Sequence, residues 1–210
     1  ELSAAGMLRL ACVPAGALTV KSLALASPTT LLVGMHDGTR GVIHTTQVGQ
    51  AACTSPAAFG HMTAASDGNW GPAQYAKLLP SALAVGPDGA VFVAEGAETA
   101  AMRKVRRIDP SGVIAPFLGS GLDPDLSTSC GEIEAPATQV CIGRPSAVAV
   151  DAAGNLFVGT DTGRLFQVSG ADGRVRRIHQ ELSGATQEGA ALLGLHAGAA
   201  NAIGYCQFSG

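Results

Sequence analysis

The chain has 210 residues, 47 % of them hydrophobic, which suffices for one well-buried domain or for several small repeat units sharing a core. Charged residues make up only 14 %, and a net charge of −3 excludes a global basic field for nucleic acid or an anionic membrane surface. The 28 Gly and 11 Pro, set among Val, Ala and Leu, argue against a helical bundle and for short strands joined by tight turns.

Along the chain, residues 1–20 are expected to end a preceding unit, with Met7–Leu10 as its strand. Residues 21–59 form a degenerate unit with strands at Ser22–Ala26, Leu31–Val33 and Gly41–Thr45. A Gly/Pro/Ser/Ala-rich loop follows at 60–79, carrying Trp70 and the pair Pro72-Ala73. Residues 80–118 then give four strands: Ala82–Val85, Val91–Val93, Lys104–Ile108 and Val113–Leu118, with turns at Gly86–Gly89 and Asp109–Gly112. A second loop, 119–144, holds Cys130, Cys141 and the pair Pro136-Ala137. Residues 145–180 repeat the scheme with Ala147–Val150, Leu156–Val158, Arg164–Val168 and Arg174–Ile178, and 181–210 is expected as a loop leading to a next unit.

The repeat is explicit in the letters. Pro80–Ala94 and Pro145–Gly159 agree at 8 of 15 positions, and the equivalent apolar residues Leu23, Leu83 and Val148 are 60 and 65 residues apart. Four antiparallel strands per unit is the pattern of a propeller blade, so the expected fold class is all-β, a β-propeller with about three four-stranded blades in this chain.

The blades resemble NHL repeats. The pattern of Pro, apolar-Ala-apolar, Asp, a Gly-Asn turn, aromatic-Val and then Arg is carried by Pro145, Ala149, Asp151, Gly154, Asn155, Phe157, Val158 and Arg164. The upstream copy carries it at Pro80, Ala84, Gly89, Phe92 and Val93. Asp67-Gly-Asn-Trp-Gly-Pro-Ala73 is similar to the loop that leads into a blade of that family, and Cys130–Ala137 is a looser copy. The resemblance implies a ring of about six blades, completed by the remainder of the same polypeptide or by other protein chains.

Candidate chemistry is sparse. No Gly-x-Ser-x-Gly elbow, P-loop or dinucleotide fingerprint occurs, so no catalytic residue and no cofactor site is assigned. His36, His44, His61, His179 and His196 lack metal-ligand spacing, and no metal site is assigned either. Asp37, Glu95, Asp151 and Asp161 fall near strand ends; if they converged on a central channel they would fit a metal-dependent lyase or hydrolase. The two basic runs, Arg103, Arg106 and Arg107 and then Arg174, Arg176 and Arg177, are expected on solvent-facing outer strands. Together with Trp70 they are the candidate interaction residues, and RNA binding is the alternative they raise.

Of the five cysteines, Cys12, Cys53, Cys130, Cys141 and Cys206, the pair Cys130 and Cys141 would close a short loop as a disulfide. The leading expectation is a non-catalytic module for protein–protein interaction or structure in a larger extracellular or cell-surface assembly, with a cytoplasmic location as the alternative. No run is a convincing bilayer span, and nucleic acid is not the favoured partner.

Overall fold

The computed structural model describes residues 18–47, 57–62, 67–96, 102–122, 135–179, 191–197 and 203–208. The expected strand at Met7–Leu10 lies outside them, as do Cys12, Cys53 and Cys130. The strands are β1 (Thr19–Ser27), β2 (Thr30–His36) and β3 (Gly41–Gln47), then β4 (Gly71–Pro72), β5 (Ala82–Val85), β6 (Val91–Gly96), β7 (Arg103–Ile108) and β8 (Val113–Leu118). They continue with β9 (Pro145–Val150), β10 (Leu156–Thr160), β11 (Leu165–Val168), β12 (Val175–His179), β13 (Ala191–Ala197) and β14 (Ile203–Phe208).

These strands form antiparallel sheets in the orders β1-β2-β3, β4-β8-β7-β6-β5, β12-β11-β10-β9 and β13-β14. Apart from β4, which joins the far edge of its sheet beside β8, each sheet is a meander because a tight turn follows nearly every strand. In the third sheet Asp151 makes one such turn: its carboxylate accepts the amides of Ala153 at 2.9 Å and Asn155 at 2.8 Å, while Gly154 takes the left-handed φ of 82°. The first strands of successive sheets lie side by side, β1 by β5, β5 by β9 and β9 by β13. That is the radial arrangement of propeller blades around an inner ring of strands, and the fold is a partial β-propeller.

The blades share one register. Leu23 opposes Val33 and Val33 opposes His44 in the first blade. Leu83, Val93 and Arg106 hold the same places in the second, and Val148, Val158 and Phe166 in the third. Because side chains alternate across a strand, the Val93 face of the second blade turns to Leu32 and Ile43 of the first. Its opposite face, with Ala84, Phe92, Ala94 and Val105, packs on Val148, Val158 and Phe166. A blade interior is thus sandwiched, and all five residues of β10 are buried. Each fully buried Val, Leu or Phe contributes about 1.5–3 kcal/mol, so inter-blade packing dominates stability.

The blades also approach closely at their inner ends. A Cβ on Gly96 would lie 2.4 Å from the Pro145 carbonyl oxygen, so only glycine lets the second blade meet the third there. Ser81 ties the same junction: its hydroxyl lies 3.0 Å from the Pro145 carbonyl and accepts the Gly96 amide at 3.1 Å.

Two expectations change. The stretch 181–210, expected as a loop, holds the β13-β14 hairpin, which stands to β9 as β9 stands to β5. In it Leu195 opposes Tyr205 with the same spacing as Val148 and Val158, but Gly194, Gly204 and the run Gly198-Ala-Ala-Asn-Ala202 hide the repeat from inspection. The loop 60–79 is not irregular throughout either. Gly71 and Pro72 pair with Ile114 and Val113 as an extra outermost strand, and Phe59 and Leu78 bridge to Ile43 and Gly41 of the first blade.

Candidate interaction surface on the inter-blade loop

The loop between the first and second blades is fastened from beneath by one buried ion pair. Arg106 and Glu95 face each other across the β6-β7 hairpin, and neither side chain is exposed to solvent. The guanidinium meets the carboxylate through two bonds, Nε to Oε2 and Nη2 to Oε1, both 2.7 Å. Such two-point contact is the strong form of an arginine–carboxylate pair.

The remaining hydrogen-bonding capacity of both groups goes into the loop. Arg106 Nη1 donates to the Asp67 carbonyl and, at 3.3 Å, to the Asn69 side-chain oxygen, while Nη2 donates to the Lys77 carbonyl. Glu95 Oε1 accepts the Leu79 amide at 2.9 Å, and Lys104 Nζ reaches Asp67 Oδ2 at 2.6 Å. Together these bonds hold 67–79 from below. A buried charge pair is tolerated only when such bonds satisfy it, and here they do.

Backbone bonds fix the loop from the side. The Trp70 amide donates to the Ile114 carbonyl at 2.7 Å and the Ala73 amide to the Gly112 carbonyl at 2.8 Å. Gly60 and His61 donate to Ala73 and Ala76, which ties the loop to the chain leaving the first blade. Ala73 and Ala76 are buried, and Leu78 inserts into the core between the blades.

What this frame presents outward is aromatic. Trp70 is 76 % exposed and Tyr75 63 %, with Val113 at 37 % on the strand that pairs with Pro72. Trp70 is the one non-glycine residue with positive φ among the described residues, at 66°. A bulky residue in that region is strained by about 1–3 kcal/mol and persists only where the surroundings over-determine it. The strain turns a large apolar ring into water.

The basic runs behave differently from each other. Arg103 and Arg106 sit on β7, the third strand of five, flanked by β6 and β8, and both are buried; the expectation of a solvent-facing outer strand fails for them. Arg107 is half-buried and pairs with Asp88 at 2.6 Å. Arg174, Arg176 and Arg177 lie at or on β12, which ends its sheet, and all three are exposed. The two runs differ because the first occupies a third strand and the second a fourth. A sequence signal for the pair did exist: Glu95 and Arg106 straddle a hairpin at positions that fold back on one another.

Of the carboxylates near strand ends, Glu95 holds the loop, while Asp37 and Asp151 serve their own turns. Asp37 accepts the amides of Thr39 and Arg40 in its turn, and Asp151 caps its own. Asp161 stands 3.6 Å from Arg144; burial pushes its carboxyl up, against the pull of Arg144 and Arg103. Among the described residues no three His, Cys, Asp or Glu side chains come together as a metal site. The His179 and His196 side chains lie outside the described residues. Cys141 is buried with its Sγ 3.2 Å from Ser120 Oγ, and its expected partner Cys130 is outside the described residues.

No family model matches the chain, and no curated protein matches it. Solved structures do. A protein of unknown function from Bacteroides thetaiotaomicron aligns with a TM-score of 0.53 at 16 % identity, over 84 % of this chain and 42 % of its own. An extracellular domain of a one-component system from the same organism aligns at 0.39 and 16 %, over 90 % and 26 %. An oxidoreductase of glucose dehydrogenase type from Thermus thermophilus aligns at 0.43 and 14 %, over 93 % and 79 %. The chain spans less than half the length of the first of these and about a quarter of the second. Among the described residues no helix is long and apolar enough to cross a membrane.

Proposed function

We propose that this chain is a section of an NHL-type β-propeller that works as a non-catalytic interaction or structural module, within a larger extracellular or cell-surface assembly. The observation that carries the reading is Trp70, held outward at a strained φ by a loop fastened to a buried ion pair. An exposed tryptophan beside a tyrosine on a rigid frame is the composition of a binding hot spot, since little conformational freedom remains to be lost on association. Further blades, from the same polypeptide or from other chains, complete the ring.

A Cys130–Cys141 disulfide belongs to the same reading. It would close the second inter-blade loop, stabilise the folded state by about 2–4 kcal/mol and fit an oxidising compartment. Peptide mapping without reductant tests it: a linked Cys130–Cys141 peptide is expected, and two free thiols would count against the extracellular location.

The interaction reading is tested by site-specific photo-crosslinking in the native source. A crosslinker at Trp70 or Tyr75 is expected to capture one discrete protein, whereas one at exposed Leu122 is expected to capture none. Equal capture from both places would remove the Trp70 surface from the account.

A further inference from the structure

The second and third blades end differently on their outer sides. The fourth strand of the second blade, β8, is paired by β4 at its first two residues, Val113 and Ile114. The fourth strand of the third blade, β12, is terminal in its sheet, and no described residue pairs with its outer edge. An open edge offers a row of unpaired backbone donors and acceptors.

Charge on this edge is predominantly positive, three arginines against the single carboxylate of Asp172. Arg174, Arg176, Arg177 and Ile178 are exposed there, and among the described residues Arg176 and Arg177 form no ion pair. Arg174 Nε lies 3.5 Å from Asp172 Oδ2, and its side chain is 79 % exposed. Arg174 and Arg176 are two apart, so both project on the same face, where Gln167 stands directly opposite Arg176. Beside them opens a shallow cavity of about 140 Å³, lined by Asn155, Gln167, Ser169, Asp172, Arg174 and Arg176. Asn155 is fixed there, accepting the Gly170 amide at 2.9 Å and donating to Asp151 at 2.7 Å.

We propose that β12 is a docking edge for an extended acidic segment of a partner protein. The segment adds as a further strand beside Val175–His179 and sets carboxylates at alternate positions against Arg174 and Arg176, one of them reaching the cavity. Two features select this occupant. A strand edge left unpaired among the described residues calls for main-chain pairing, which a peptide supplies and a nucleic acid does not. The two-residue spacing of the guanidiniums matches the side-chain repeat of an added strand, and guanidinium forks suit carboxylates. The proposal is independent of the Trp70 surface.

The test uses the full chain and five fluorescent probes read by anisotropy: an eight-residue peptide of alternating Glu and Val, a block isomer with four Glu then four Val, the alternating peptide with backbone N-methylation along one edge, the same peptide N-methylated along the other edge, and a single-stranded RNA octamer. The alternating peptide is expected to bind saturably. Substituting Arg174→Gln with Arg176→Gln, both solvent-exposed sites, is expected to weaken it by about tenfold or more, and N-methylation on the pairing edge by as much. Trp70→Gly leaves this binding unchanged. No saturable binding of the alternating peptide overturns the proposal. So does equal binding of the block isomer or of both N-methylated edges, which would mean charge attraction without strand addition. Tighter RNA binding that is lost in the same arginine variant would assign the edge to nucleic acid instead.

Discussion

The second and third blades are built on one register yet solve the same position in opposite ways. Where the second places Glu95 and Arg106, the third places Thr160 and Phe166. All four side chains are buried. Phe166 simply joins the apolar packing between blades, and Thr160 satisfies itself within its own turn, 3.1 Å from Thr162 Oγ1 and accepting the Arg164 amide at 3.2 Å. Arg106 and Glu95 instead reach out of their blade to hold the loop that carries Trp70. The comparison teaches that the shared scaffold tolerates either an apolar or an ionic filling, and that the ionic one is what gives the preceding loop its fixed shape.

The largest expected effect follows directly. Arg106→Met leaves the buried Glu95 carboxylate and two part-buried loop carbonyls without their partner, so unfolding free energy should fall by about 3–5 kcal/mol in urea titration. The register-equivalent Phe166→Leu, a near-conservative apolar change, should cost less than about 1.5 kcal/mol. Equal costs would dissolve the contrast between the blades. Next in size is Asp151→Ala, which strips two amides and the Asn155 side chain of their acceptor at the start of the third blade's second strand. A loss of about 1–3 kcal/mol is expected by the same titration.

Trp70→Gly should move stability the other way. Relieving the strained φ of an exposed side chain that contributes little packing is expected to raise the melting temperature slightly, by up to about 1 kcal/mol in free energy, while crosslinked partner is lost. A marked fall in melting temperature would make the indole a structural group rather than a presented one.

The smallest effects concern pH, and two carboxylates at the ends of the third blade should act with opposite sign. The Ser169 side chain, then the Arg174 amide, hold the Asp172 carboxyl below the usual carboxylate range, so its contribution is present above its unfolded value and lost as pH falls. Burial pushes Asp161 above that range, so its ionised form opposes folding and the penalty disappears as pH falls through the folded value. Asp172→Asn should therefore flatten the acid-side loss of stability, and Asp161→Asn should steepen it. Denaturation midpoints between neutral pH and the acidic carboxylate range check both slopes.

Much of this architecture was legible in the sequence, for reasons that also explain what was not. The eight strands of the second and third blades announced themselves because alternating Val, Ala, Leu and Phe are bounded by Gly- and Asp-rich turns, and their observed limits differ by a residue or a few at most. The β13-β14 hairpin escaped because an Ala-rich connection without a turn signature, together with the small residues Gly194 and Gly204, blurs the alternation. β4 escaped because two residues carry no periodicity. At the candidate site, Trp70 was singled out by residue type, but its left-handed backbone was not, since Asn69-Trp-Gly71 allows several turns. Arg106 is expected on a solvent-facing outer strand because it lies in a dense basic run whose successive side chains alternate across a strand. Its burial depends on Glu95 across the adjacent hairpin and on the carbonyls of Asp67 and Lys77, and those carbonyls are brought to it only by the folded loop.

Amide hydrogen exchange on the intact chain and on Arg106→Met tests the central claim most directly, because it reads the loop and the blades separately. In the unaltered protein the amides of Trp70, Ala73 and Leu79 should exchange slowly, and in the variant they should be exposed well before those of β9 to β12. If protection across 67–79 is unchanged in Arg106→Met while the blades stay folded, the buried ion pair does not fasten the loop.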